Sequence, residues 1–162
     1  MANKEIKIAV PEGYEIDREN STFECIKFKK KALIYEDIEV HIAKQKARGL
    51  FSAVIEEASA HGNVVGYTTL GKGYCYPEHL RRLMAFNKLL NVAKYLNEKT
   101  LDWDNRSEKK WLIGCVHPHK KLIVESYYII QGSGVYFDSK EHAEQAIQIL
   151  GEDEVKRALG VF

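Results

Sequence analysis

Residues 103–162 read WDNRSEKKWLIGCVHPHKKLIVESYYIIQGSGVYFDSKEHAEQAIQILGEDEVKRALGVF, and within them the apolar period changes from that of strands to that of helices. Residues 109–116, 122–130 and 135–137 are rich in aromatic and β-branched side chains. Turn signals separate them, at 117–121 with its proline and at 132–134 with its two glycines, so a three-stranded meander is expected. At Asp138 the pattern switches. Asp138 stands in capping position with Glu141 three residues on, and Ala143, Ala146, Ile147 and Leu150 follow at a 3.6-residue period. Gly151 closes that helix, residues 152–154 charge the start of another, and Val155, Ala158, Leu159 and Phe162 repeat the spacing. Both helices present a face that needs an apolar partner, so they are expected to be part of the core.

Working towards the N-terminus, Pro77 and Glu78 make a favourable first turn for a long helix. Leu80, Leu83, Phe86 or Asn87, Leu90, Ala93 and Leu96 recur at helical spacing, while Met84, Leu89, Val92 and Tyr95 widen the apolar surface, which predicts a central helix covered on more than one side. Residues 71–76 read as loop. Residues 50–70 are ambiguous over Ala53 to Ala60, but His61, Gly62 and Asn63 form a turn signal before a β-prone run, which favours a hairpin. Glu36 and Asp37 early and Lys44, Lys46 and Arg48 late suit the dipole of a helix over residues 35–48, closed by Gly49, with Ile38, Ile42 and Gln45 on one face. Residues 5–10 and 22–29 alternate as strands, joined by a type I turn over Val10 to Gly13 and a surface loop over 14–21. The expectation is one α+β domain over residues 1–162, a small antiparallel sheet with a central helix and two short C-terminal helices.

Composition narrows the function classes. The hydrophobic fraction of 45% and charged fraction of 29% are those of a globular protein, which argues against disorder and against a membrane class. With 24 basic and 23 acidic residues the net charge is +1, so nucleic-acid binding would need local asymmetry. The three cysteines, Cys25, Cys75 and Cys115, are too few and too widely spaced for a disulfide framework. Together with the absence of a secretory or membrane-spanning apolar run, this predicts a cytoplasmic protein that does not engage a membrane.

Few residue patterns carry chemistry. Cys115, His117 and His119 combine ligand types suited to zinc, but they lack a fourth partner and Pro118 interrupts the strand alternation. Asp102 and Asp104 lie in a turn-rich segment where Arg106 breaks a calcium-loop pattern. Gly71 and Gly73 match neither phosphate-loop nor dinucleotide spacing. No catalytic residue, cofactor or metal is assigned, and an enzyme is not expected. One basic and aromatic cluster remains: if Lys109, Lys110, Lys120 and Lys121 lie together beside Trp103, Trp111, Tyr127 and Tyr128, single-stranded nucleic acid could stack and be neutralised there. Of these, Lys109, Lys110, Trp111, Lys120, Lys121 and Tyr127 are the candidate contacts for a nucleic acid or a protein partner.

Three segments together carry a resemblance: residues 10–17 (VPEGYEID) with 21–24 (STFE) and 26–29 (IKFK); residues 89–97 (LLNVAKYLN) followed by Trp103; and residues 135–147 (VYFDSKEHAEQAI) with Leu150 and Gly151. The chain resembles small uncharacterised proteins encoded by phages and prophages of Bacteroides-type bacteria. The resemblance implies a mobile-element origin and brings no activity, cofactor or catalytic residue with it. The expected function is that of an accessory protein that works by binding another macromolecule, most simply a protein, with nucleic acid as the alternative partner.

Overall fold

The computed structural model describes residues 8–47, 56–61, 64–68, 72–128 and 134–161, which divide into two compact units, one ending at Leu33 and the other starting at Ile34. In the first unit, β1 (Tyr14–Ile16) and β2 (Phe28–Lys30) form an antiparallel ribbon with Tyr14 opposite Lys30 and Ile16 opposite Phe28. The strand expected over residues 5–10 lies mostly outside the described residues, and 8–10 are not strand. Instead, β1 occupies part of the expected surface loop. The turn explains the shift: the Tyr14 N–H donates to the Pro11 carbonyl at 3.1 Å and Gly13 has φ +78°. It is therefore a type II turn one residue later than expected, with glycine where φ must be positive, and the chain leaves it extended. Short polar side chains shape the long connection. Ser21 Oγ accepts from the Lys27 N–H at 2.9 Å, Asn20 N–H donates to Asp17 Oδ1 at 3.2 Å, and Cys25 N–H donates to Thr22 Oγ1 at 3.1 Å.

The second unit is α+β, as its sequence implies. Its elements are α1 (Tyr35–Ala47), β3 (Glu56–His61), β4 (Val64–Thr68), β5 (Lys72–Cys75), α2 (Pro77–Leu96), β6 (Lys110–Val116), β7 (Lys121–Tyr127), β8 (Tyr136–Phe137), α3 (Lys140–Leu150) and α4 (Glu152–Leu159). The hairpin expected in residues 50–70 is present as β3 and β4, and its Gly62–Asn63 turn, like the Gly49 helix stop, lies outside the described residues. The loop expected at 71–76 is corrected. Lys72–Cys75 pairs with the second edge of β4 and makes a three-stranded sheet in the order β3-β4-β5, which gives both groups of backbone donors and acceptors partners.

The last three strands are not a meander. Their order is β7-β6-β8, so β6 is central and β8 pairs with its other edge, Trp111 opposite Phe137 and Leu112 opposite Tyr136. The connection from Tyr127 to Tyr136 exceeds the two to five residues of a tight hairpin, and the expected Gly132 turn lies outside the described residues. Crossing to the far edge puts Phe137 in a fully buried position beside Trp111. Gly134 passes close over β6, where a Cβ would stand 2.6 Å from Leu112 Cδ1.

The core is built around α2, which buries Leu80, Ala85, Leu89, Val92, Ala93 and Leu96 and is in contact with α1, α3 and α4. Val155 and Ala158 from α4, Ala143 and Ala146 from α3, Ile113, Phe137 and Ile38 complete it. The alanines let the helix axes approach while the larger residues fill the space between them. Both C-terminal helices are thus part of the core. As expected, α2 is covered on more than one side, while Leu83, Met84, Leu90 and Tyr95 stay exposed. Gly151 with φ +79° ends α3, and Gly160 in the left-handed conformation ends α4, its N–H bonded to the Arg157 carbonyl and that of Val161 to the Lys156 carbonyl. This is the paired pattern that satisfies the last carbonyls of a helix.

Candidate functional site

The richest polar constellation lies where α2 runs into the 97–110 loop. Asn97 Nδ2 donates to the Tyr136 carbonyl at 3.0 Å, and Asn97 Oδ1 accepts from the Asp138 N–H at 3.1 Å. Asp138 in turn accepts from the Glu98 N–H at 2.9 Å and lies 2.6 Å from His142 Nδ1. The expected N-cap at Asp138 is therefore Ser139, whose Oγ accepts from the His142 N–H at 3.1 Å. The difference follows from register, since Ser139 directly precedes the first helical residue and Asp138 is left to tie α2 to α3.

A second group sits in the same loop. Glu108 pairs with Lys99 and Lys110 and accepts from the Asp102 N–H at 3.1 Å. The hydrogen bond from Lys99 is the main cause that lowers its pKa from 4.5 to about 2, and the Lys110 bond adds to it. Lys110 is 0% exposed. Its ammonium donates to the carbonyls of Asn105 at 2.9 Å and Glu108 at 3.1 Å and lies 5.7 Å from the Trp103 ring centre, while Trp103 meets Tyr136 edge-on at 4.8 Å. These groups are engaged with one another, and the arrangement fastens the loop. Beside it Lys94, Asn97, Lys99, Thr100 and Trp103 line a depression of about 430 Å³.

The structure disperses the six candidate contact residues. Lys110 is spent inside the loop, and Trp111, on the opposite face of β6 with Ile113, is half-buried. Tyr127 lies across from Lys110 and donates to Glu125 Oε2 at 2.9 Å, a contact that raises its pKa and sets a carboxylate beside its ring. Lys109 is exposed before the start of β6, whereas Lys120 and Lys121 are at the opposite end of the β6–β7 hairpin. The length of β6 puts about 20 Å between the two lysine pairs. They do not converge on one patch. Cys115 is half-buried and His117 and His119 are exposed in the turn. No group of three metal-ligating side chains close enough to share an ion is found among the described residues. All three cysteines are free thiols.

Two surfaces that spacing alone did not mark are apolar. In the first unit no residue from 8 to 33 is buried, and Ile8, Val10, Tyr14, Phe23, Ile26 and Phe28 are exposed, Phe23 fully at 104%. In the second unit Cys75, His79, Arg82, Leu83, Phe86 and Ala158 line an open groove of about 570 Å³ along α2 and the end of α4. The Arg82 guanidinium forms part of its rim and also rests on Gly160, where a Cβ would stand 2.6 Å from the guanidinium carbon. No helix among the described residues is long and apolar enough to cross a membrane. No protein-family model matches the chain, and neither a curated protein nor a solved structure does.

Proposed function

We propose that the chain is a phage or prophage accessory protein that works in the cytoplasm by binding another protein and carries out no chemistry of its own. The observation that supports this reading is the first unit, which holds a paired ribbon yet exposes Ile8, Val10, Tyr14, Phe23, Ile26 and Phe28 and buries none of its described residues. Units below about 40 residues seldom carry a sufficient core, and clustered exposed apolar side chains mark interaction surfaces. Phe23 projects from the Thr22–Cys25 turn as the natural anchor of such a contact.

A photo-crosslinking side chain placed at position 23 in host cells tests the proposal, with the same group at the exposed Asp153 as reference. The expected result is a discrete protein adduct from position 23 that is absent from position 153 and lost when Ile26 and Phe28 are both changed to Asp. A nuclease-sensitive adduct would assign the surface to nucleic acid. Identical labelling from both positions would remove the proposal altogether.

A further inference from the structure

From the N-cap residue Tyr76 into α2, the side chains Tyr76, His79, Leu83, Phe86 and Leu90 follow one another at steps of three, four, three and four residues. That is the a/d spacing of a helix seam, and it lies away from the face by which α2 enters the core. Tyr76, His79, Leu83 and Leu90 are exposed and Phe86 is half-buried. Leu83 retains 48% of its surface. The stripe extends over about 21 Å, the length of four helical turns, and Ala158 and Arg82 turn part of it into the open groove beside α4. We propose that this groove receives an amphipathic α-helix with acidic flanks, supplied by a partner protein.

Length, spacing and charge each argue for that occupant. A helix in a groove is held by anchors at i, i+3, i+4 and i+7, and the stripe offers the complementary places. Its margins are basic. Arg82 lies on the α4 side and lines the groove, and Lys94 stands one turn beyond Leu90 at the C-terminal end. A second copy of this chain docking through the same face would set these cations against their equivalents, which disfavours self-pairing. Acidic residues flanking an apolar seam would instead meet them. The stripe shares no residue with 8–33, so the proposal stands or falls independently of the contact at Phe23.

Fluorescence anisotropy with two labelled synthetic helices and the full chain tests it. Both helices carry leucine at a and d over three heptads, one with glutamate and the other with lysine at the flanking positions. The acidic helix is expected to bind and to weaken as salt is raised. Leu83→Asp and Leu90→Asp, both at exposed positions and each checked for a cooperative melting curve, should each weaken it about tenfold or more. Lys94→Glu should weaken the acidic helix alone. The proposal is overturned if neither helix binds, if both bind equally, or if the two aspartate variants bind as the wild type does. It is also overturned if sedimentation finds a dimer that Leu83→Asp converts to monomer, since the groove then belongs to a second copy.

Discussion

Residues 8–33 and residues 134–161 both contain a regular supply of apolar side chains, yet the first segment has no buried residue and the second seats Val155, Phe137, Ala143 and Ala146 at 0% exposure. The difference lies in what each periodicity can be laid against. Helical spacing in α3 and α4 collects apolar residues onto stripes, and α2 and the β6 sheet supply surfaces for those stripes to cover. The β1–β2 ribbon has two strands of three residues each. A ribbon of this size has no second layer of its own, so turn chemistry and backbone pairing define it. Burial holds the C-terminal segment, and local hydrogen bonds hold the N-terminal one.

The strongest way to break this contrast is to remove the buried side. Ending the chain after Gly151 deletes Val155 and Ala158, both within the core. Burial of one large aliphatic side chain is worth about 1.5–3 kcal/mol, out of a total stability of about 5–15 kcal/mol. The truncated protein, which also loses the Lys88–Glu154 ion pair across to α2, should aggregate or melt without a cooperative transition. Phe23→Asp, at a position fully open to water, should leave the urea midpoint within about 0.5 kcal/mol of wild type. Equal losses from both changes would show that residues 8–33 share the stability of the core.

Gly160 gives the next largest effect. It combines φ +74° with the close approach of Arg82, so Gly160→Ala should cost about 1–2 kcal/mol from the backbone alone and more while Arg82 is present. Arg82→Ala in the same chain should recover the second part. A double-mutant cycle by urea unfolding measures the coupling, and simple additivity would show that the guanidinium moves aside freely.

Two serines that each accept from a backbone N–H sharpen the contrast further. Ser139→Ala removes the cap on His142 N–H and should lower global stability by about 1 kcal/mol. Ser21→Ala removes the bond to the Lys27 N–H and should speed hydrogen exchange at that amide with little change in the global midpoint. A fall in global stability from Ser21→Ala, equal to that from Ser139→Ala, would contradict the division.

The helices were legible because their signals are local. Pro77 at the start of α2, Gly151 between α3 and α4, and the 3.6-residue spacing of Ala143, Ala146, Ile147 and Leu150 all act within a few residues of where they stand. Strand order was not, because Trp111 and Phe137 become neighbours through a crossing that no adjacent residue encodes. The turn at Gly13 was misplaced by one residue, which moved β1 into an expected loop; glycine's tolerance of positive φ was the signal that located it correctly. The basic cluster failed for a similar reason. Lys109 and Lys110 look alike in sequence, but strand alternation and the loop carbonyls of Asn105 and Glu108 turn Lys110 inward. The Asn97–Asp138 tie joins residues some forty positions apart, a separation that no local spacing encodes.

The smallest predicted effect concerns acid. Glu108 is an exchange point between two cations, Lys99 and Lys110, and its pKa is lowered from 4.5 to about 2, chiefly by the hydrogen bond from Lys99. A carboxylate whose pKa is depressed in the folded state stabilises the fold above its unfolded value, and the contribution is lost as pH falls towards the folded value. Stability attributable to Glu108 should therefore be fully present above about pH 5 and decline between 4.5 and 2. Glu108→Gln removes the titration, so its urea midpoint should be lower than wild type at neutral pH and fall less steeply through that window. The two curves should converge near pH 2. The first unit has its own depressed carboxylate, Asp17, lowered mainly by its hydrogen bond with the Asn20 side chain. Because that group serves a ribbon without buried residues, Asp17→Asn should alter exchange of the Asn20 amide while leaving the global acid transition where it is. Parallel shifts of the global curve by both variants would join the two regions energetically; a shift from Glu108→Gln alone keeps them apart.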